Sequence, residues 1–398
     1  MTTSSSSKIL ILNDFYYAAG AETVFRDYTT LLGSNCFIVH SCYASKTPHT
    51  NIFSSILNIF KLYIRVFSLF CRPSKCPDIV IVHNFISRLT VFIFWYIFVL
   101  KLIFNRNCIV YHVLHDYGLL CPSSGYFYYT SSSNMSIKSN IRCFNYQPSL
   151  GSLLFSRIDI RSLFHDVYKK FRWIITFLFF NRFLINGFIS PSPFIRNLFT
   201  LRYPNINNYL IYNPLITLSE PQSLPVVLPD SNHRLLNVAF LGRNSPEKGL
   251  SHFVNYLSSL PMDLNIHFFV ALKQSQINHI HTQLPQHTLC FHGFLDRVEL
   301  YDKLSLIDLI VVPSVWFENA PLVVVESLLL GIPVLVNKFG SLETFSIDSS
   351  NVYYYQDFTS FSNFFTSFCK HLISFDDNDK YLSRFSSDNF LSSLSALF

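Results

Sequence analysis

Ten short runs of apolar, largely β-branched residues recur along the chain and constrain its fold more than any other feature. In the first half they are 9–13 (ILILN), 36–40 (CFIVH), 78–83 (DIVIVH), 108–113 (CIVYHV) and 183–190 (FLINGFIS). In the second half they are 235–241 (LLNVAFL), 265–270 (NIHFFV), 288–292 (TLCFH), 309–313 (LIVVP) and 333–337 (PVLVN). Runs of this kind, with no polar alternation, suit parallel strands covered on both faces. The stretches between them are long enough for crossover helices, so each half reads as a doubly wound α/β domain. Between the halves, residues 214–234 gather Pro221, Pro225 and Pro229 among Ser, Asn and Asp and read as a linker. The expected organisation is a first domain over 1–214, a hinge over 215–234, a second domain over 235–380 and a tail over 381–398. The serine-rich stretches 131–139 and 386–395 read as loops or frayed ends.

Half of the 398 residues are hydrophobic, only 14% are charged, and the mean hydropathy is +0.30. A chain this apolar holds large buried sheets or touches a bilayer. Residues 90–100 (TVFIFWYIFVL) fall short of the roughly 20 apolar residues that span a membrane, and read as a buried core helix. Residues 173–180 (WIITFLFF) follow Lys169, Lys170 and Arg172 and fit interfacial contact as well as burial. A net charge of +6 is too small for a dedicated nucleic-acid binder but suits phosphate-bearing substrates or an anionic membrane face. The nine cysteines include no CxxC pair, so neither a zinc site nor a disulfide framework is expected. The N-terminus lacks the pattern of an export signal. The expected location is the cytoplasm, with peripheral placement on the cytoplasmic face of the inner membrane.

The chemistry concentrates in residues 308–340 (DLIVVPSVWFENAPLVVVESLLLGIPVLVNKFG). A buried strand ends near Ser314, a loop carries Glu318, and Pro321 stands where a helix should begin, since proline suits the first helical position. Gly331 and Pro333 then end that helix. Glu318 and Glu326 lie at most roughly 12 Å apart and can face one groove. Between them the amides of Ala320, Leu322 and Val323 open the helix, a natural anion site suited to a diphosphate. A carboxylate on each side of a diphosphate fits a molecule with a hydroxyl-bearing ring at each end. A second constellation, residues 239–250 (AFLGRNSPEKGL), ends a strand at Gly242 and places Arg243 and Lys248 on the following loop, where they can neutralise a departing diphosphate. It is not a P-loop, because the lysine precedes the second glycine and no GK[ST] follows.

These two segments resemble glycosyltransferase family 4. The family's two glutamates separated by seven residues match Glu318 and Glu326, within Glu318-Asn319-Ala320-Pro321-Leu322-Val323, a variant like that of polysaccharide and lipopolysaccharide enzymes. Its Gly-Arg…Lys-Gly pattern matches Gly242, Arg243, Lys248 and Gly249. More loosely, Ala19-Gly20-Ala21-Glu22 is similar to the family's Gly-Gly-Ala-Glu turn, with Ala19 departing, and Leu114-His115-Asp116-Tyr117 with Cys121-Pro122 to its His-Asp…Cys-Pro signature. Ser192, Asn213-Pro214 and Gly340-Ser341-Leu342-Glu343 also fall on family positions, the last with Ser341 in place of glycine.

The resemblance implies the GT-B architecture, two Rossmann-like domains facing across a cleft. It also implies transfer of a sugar from a nucleotide-diphosphate donor to a saccharide or lipid-linked acceptor, with retention at the anomeric carbon. It assigns donor binding to Gly20, Gly242, Arg243, Lys248, Glu318, Asn319, Ala320, Leu322, Val323 and Glu326. His115 and Asp116 fall on the acceptor side. His115, Glu318, Arg243 and Lys248 are the expected catalytic residues, with no cofactor and no metal. The expected setting is cell-surface polysaccharide synthesis. Two alternatives stay open, a nucleotide-sugar epimerase of similar fold and an inactive homologue that scaffolds an assembly complex. Asp116 can equally orient His115 or cap the following turn, and His83 reads as structural or functional with equal weight.

Overall fold

The computed structural model describes residues 7–16, 20–35, 37–46, 52–84, 92–130, 140–145, 147–216, 235–345, 349–369 and 380–398. The chain begins with β1 (Lys8–Phe15), α1 (Gly20–Ser34), β2 (Ile38–Ser45), α2 (Ile52–Phe70), β3 (Ile79–Val82), α3 (Phe92–Phe104) and β4 (Ile109–Val113). A hairpin follows, β5 (Phe127–Thr130) and β6 (Asn140–Cys143). Next come α4 (Leu150–Phe155), α5 (Leu163–Phe179), β7 (Gly187–Ser190), α6 (Pro193–Arg202) and β8 (Asn207–Leu210). The second half runs β9 (Asn237–Leu241), α7 (Leu250–Leu257), β10 (Asn265–Phe269), α8 (Gln274–Gln283), β11 (Thr288–Phe291), α9 (Arg297–Leu304) and β12 (Leu309–Val312). It ends with α10 (Leu322–Leu329), β13 (Val334–Asn337), α11 (Ser341–Phe345), β14 (Val352–Tyr355), α12 (Phe358–Cys369) and α13 (Ser387–Ser395).

Two compact units result. Unit 1 comprises Met1–Tyr126, Asn145–Ile216 and Phe385–Phe398, and unit 2 comprises Phe127–Phe144 and Thr217–Arg384. Each holds a six-stranded parallel sheet, in the order β2-β1-β3-β4-β7-β8 in unit 1 and β11-β10-β9-β12-β13-β14 in unit 2. The central strands are the continuous apolar runs: β3 (IVIV) and β12 (LIVV) are buried along their whole length. In unit 2 Phe240, Phe253, Phe268, Phe361 and Phe365 fill the core beside the sheet.

The structure departs from the sequence expectations in several places. The first domain is not continuous, because β5 and β6 belong to unit 2 and residues 385–398 return to unit 1. The serine-rich C-terminal stretch is a helix rather than a loop. Ser386 caps α13, and Phe390 and Leu394, four residues apart, are buried, with Phe390 edge-on to Tyr28. Of residues 183–190 only 187–190 are strand, since Arg182–Leu184 form a 3-10 turn and the Asn186 side chain accepts from the Val110 amide at 2.9 Å. The core helix expected at residues 90–100 is described from Phe92 as α3 and is only half buried: Ile93, Phe94, Ile97 and Leu100 face inward, while Phe92, Trp95 and Val99 are exposed. In α5, Trp173 is buried, whereas Leu178 and Phe179 are exposed. Most of the expected hinge (217–234) and the serine-rich stretch 131–139 lie outside the described residues. Among the described residues no helix is long and apolar enough to cross a membrane.

Candidate functional site

Counted within unit 2, the strand order is 3-2-1-4-5-6, and it reverses between β9 and β12. Loops leaving two such strands at their carboxyl ends go to opposite faces and open a crevice, the usual ligand position in open parallel sheets. Both charged constellations arise there, one after β9 and one after β12. Gly249 makes their approach possible. Its φ is +74°, and a Cβ at that position would sit 1.9 Å from the Pro313 carbonyl oxygen at the end of β12. The Glu247 carbonyl accepts from the Val315 amide at 3.0 Å and ties the two loops together.

This contact brings Lys248 to Glu318. Lys248 Nζ donates to Glu318 Oε1 at 2.7 Å and lies 5.4 Å from the centre of the Trp316 ring. Ser314 Oγ donates to the same carboxylate oxygen at 2.6 Å, and Ser341 Oγ donates to the Glu318 backbone carbonyl. Burial works to raise the Glu318 carboxyl, but the Lys248 charge and these hydrogen bonds outweigh it and hold the group below its ordinary value. Glu318 is 5% exposed, so its charge is maintained by this cage rather than by water. Ser341, which stands where the family pattern has glycine, is one of the residues that fix it. Gly340, at φ +62°, lets that turn pack on Phe317, where a Cβ would lie 2.5 Å from the ring.

Arg243 projects from the same crevice as an exposed side chain, 3.8 Å from Glu247. Past Asn319, which is buried, and Ala320, Pro321 caps α10 instead of starting it, so the first helical amides are those of Leu322 and Val323. A helix leaves such amides without partners of its own, and they suit an anion. Glu326 sits half-buried further along α10. Gly242 closes β9 in ordinary van der Waals contact with Phe240, with no conformational demand for glycine. Of the expected donor residues, Gly242, Arg243, Lys248, Glu318, Asn319, Ala320, Leu322, Val323 and Glu326 all belong to unit 2. The β5–β6 hairpin also lies beside this site: Phe127 meets Trp316 edge-on at 6.2 Å.

Unit 1 has its own reversal, between β1 and β3. Asn13 lies at the end of β1, Gly20 opens α1, His83 and Asn84 follow β3, and His115 follows β4. Asn13 Oδ1 accepts from the Asn84 amide at 2.9 Å, and Asn84 Nδ2 reaches the buried Glu22 carboxylate at 3.5 Å. His83 Nδ1 and His115 Nε2 are 2.8 Å apart, with the rings stacked. His83 is fully buried, edge-on to Phe25 and Tyr28. Burial first, then neighbouring imidazoles, push His83 and His115 well below the usual histidine range.

Among the described residues the buried His83 Nε2 has no hydrogen-bond partner. A bare lone pair there costs less than a bare N–H, so His83 carries its proton on Nδ1 and donates it to His115 Nε2. His115 is then left with its own N–H on Nδ1. His83, which sequence reasoning left balanced between structure and function, is thus hydrogen-bonded to His115 and stacked on its ring. Asp116 proves to be a turn cap: it accepts from the Gly118 amide at 2.7 Å, and burial raises its carboxyl to about 7. Ser192 is likewise a helix cap, accepting from the Ile195 amide.

Residues 230–356 match the profile of the family described as Glycosyl transferases group 1. A stretch of 107 residues is 28% identical to an uncharacterized 41.2 kDa protein in the cps region of Klebsiella pneumoniae, a match that spans 27% of this chain and 29% of that one. The fold is similar to that of the lipopolysaccharide outer core galactosyltransferase WaaB, with a TM-score of 0.62 at 14% identity over 98% of this chain and 100% of that one. It is similar also to Anabaena HepE, solved with UDP and glucose, with a TM-score of 0.59 at 17% identity over 98% and 99% of the two chains. Identities this low establish a shared architecture, the two-sheet GT-B fold. Residues 230–356, which contain Arg243, Lys248, Glu318 and Glu326, are thus the part of the chain that is similar to the group 1 glycosyltransferases.

Proposed function

We propose that the chain transfers a hexose from a nucleoside-diphosphate sugar to a saccharide or lipid-linked acceptor, with retention at the anomeric carbon. The observation that carries this reading is the Lys248–Glu318 pair at the switch point of unit 2, flanked by exposed Arg243 and the first amides of α10. In this reading the diphosphate lies against those amides, with Arg243 and Lys248 neutralising it. Lys248 is shared between the phosphate and Glu318. Glu326 accepts the ribose hydroxyls, and Glu318 with Asn319 faces the sugar. The bond from the anomeric carbon to the diphosphate oxygen breaks, the acceptor oxygen bonds to the same face, and the acceptor proton passes to the departing phosphate. The Nδ1–H of His115, held neutral by its surroundings, serves the acceptor side from unit 1, where Gly20 also lies. The two cations supply the charge stabilisation that a metal ion gives in other phosphate sites.

HepE, solved with UDP and glucose, supports a nucleotide-sugar donor. The cps-region relative and the lipopolysaccharide galactosyltransferase support a setting in cell-surface polysaccharide synthesis. The test is to incubate the purified chain with a panel of nucleotide-sugars and lipid-linked or saccharide acceptors, and follow nucleoside diphosphate release and product configuration. Acceptor-dependent release with a retained linkage is expected. Release of a free sugar or epimer without acceptor would assign an epimerase, and binding without turnover a scaffold.

A further inference from the structure

Unit 1 and unit 2 differ in charge and in the surface they expose. Unit 1 carries 18 Lys and Arg against 8 Asp and Glu, a net of +10, while unit 2 carries 12 against 16, a net of −4. Between Asp27 and Asp116 the sequence contains one acidic residue, Asp78. That interval includes α2 and α3, whose apolar stripes at helical spacing turn outward. On α2, Phe60 is 64% exposed and Ile64 54%, and on α3 Ile103 is 65% exposed. The two stripes are continuous, because exposed Phe67 of α2 and exposed Phe104 of α3 meet edge-on at 5.9 Å. Trp95 of α3 donates its indole N–H to the Phe179 carbonyl at 2.8 Å, which extends the apolar surface onto the exposed end of α5. Contiguous exposed apolar stripes of this kind mark an interaction surface.

The charge around the patch selects its partner. Lys61, Arg65, Arg72 and Lys75, on and just after α2, and Arg106, just after α3, are all exposed. By contrast, the basic end of α5 is engaged internally. Lys169 pairs with Asp159 at 2.8 Å, Lys170 pairs with Asp166 at 2.5 Å, and Arg172 is half-buried with Asp116 and Asp14 near it. The expectation that this end of α5 supplies the charge for lipid phosphates therefore gives way to α2 and α3. We infer that the α2–α3 face docks on an anionic phospholipid bilayer. Phe60, Ile64 and Ile103 enter the headgroup boundary, and the cations of α2 meet lipid phosphates.

The experiment is flotation of the full chain with phosphatidylcholine vesicles and with mixed phosphatidylcholine–phosphatidylglycerol vesicles, at low and high salt. Binding to the mixed vesicles only, weakened by salt, is expected. F60S/I64S/I103S and, separately, K61E/R65E should each reduce it by about tenfold or more at unchanged melting temperature. Indifference to both vesicles, equal binding to neutral vesicles, or wild-type binding by the folded triple variant overturns the inference. So does a dimer in solution that the same substitutions dissolve, which would assign the face to a second copy of this chain.

Discussion

At the switch point of unit 2 a lysine and a glutamate meet at 2.7 Å, whereas beside that of unit 1 two imidazoles, from the loops after β3 and β4, meet at 2.8 Å. Both pairs are drawn from loops that follow different strands of a parallel sheet, and both are largely withdrawn from water. In unit 2 the charges are retained, because Lys248 and Ser314 compensate the burial of Glu318. In unit 1 burial removes the charge instead, and leaves neutral rings whose proton positions matter. The same topology thus gives one site suited to an anion and one suited to directing hydrogen bonds at a hydroxyl. A nucleotide-diphosphate donor and an alcohol acceptor need that division.

The contrast can be broken most severely at the backbone. Gly249→Ala forces a Cβ onto the Pro313 carbonyl at a φ that disfavours any side chain, and should cost about 4 kcal/mol or more. Chemical denaturation should show it as the loss of folded unit 2. The corresponding Gly242→Ala meets only ordinary contacts and should be nearly neutral.

Lys248→Met should cost about 3–5 kcal/mol if Glu318 stays charged, because it strands a buried carboxylate, and should abolish donor binding. Double substitution to Lys248→Met with Glu318→Gln should recover much of the stability but not the binding. Calorimetric melts and nucleotide titration separate the two effects.

Acid should act on the two pairs, His83–His115 and Lys248–Glu318, in different pH windows. A depressed histidine gives stability that is complete above its unfolded value of 6.5 and lost as pH falls toward the folded one, about 4 for His112. Glu318 is also depressed, so its share is lost only below its unfolded value of 4.5. Melting temperature should therefore begin to fall below about pH 6.5. His83→Phe should remove its share of that first phase, to which His112, His115 and the depressed histidines of unit 2 also contribute, and leave the second.

A smaller effect separates positioning from binding. His83→Phe removes the donor to His115 Nε2 and should lower turnover by about tenfold, at the level of one hydrogen bond to a reacting group, with nucleotide affinity unchanged. Transfer assays and titration on the same preparation decide it.

Much of this was legible in the sequence, and for identifiable reasons. The central strands are continuous apolar runs whose burial leaves no other reading, and Arg243, Lys248, Glu318 and Glu326 stand out as charges at strand ends or on an apolar helix. Two of the four edge strands, β8 (NNYL) and β14 (VYYY), were not legible: the first is too polar, and the second holds three tyrosines and one aliphatic residue. The hairpin joins unit 2 through Phe127 and Trp316, 189 positions apart, a pairing that no local pattern encodes. For the same reason the Lys248–Glu318 cage, 70 positions apart, emerges only from the sheet order. The helix α13 could have been found, since Phe390 and Leu394 stand at helical spacing behind the capping Ser386, but its serines obscured the pattern. The inward and outward faces of α3 could not, because nearly every residue of that helix is apolar.

Titration of the purified chain with nucleoside diphosphates and their sugar esters, in wild type and three variants, tests the division of labour most directly. The account predicts saturable binding of at least one nucleotide, weakened by about tenfold or more in Arg243→Ala and Glu326→Ala and unchanged in His115→Ala. Loss of binding in His115→Ala, with Arg243→Ala and Glu326→Ala binding like wild type, would contradict it.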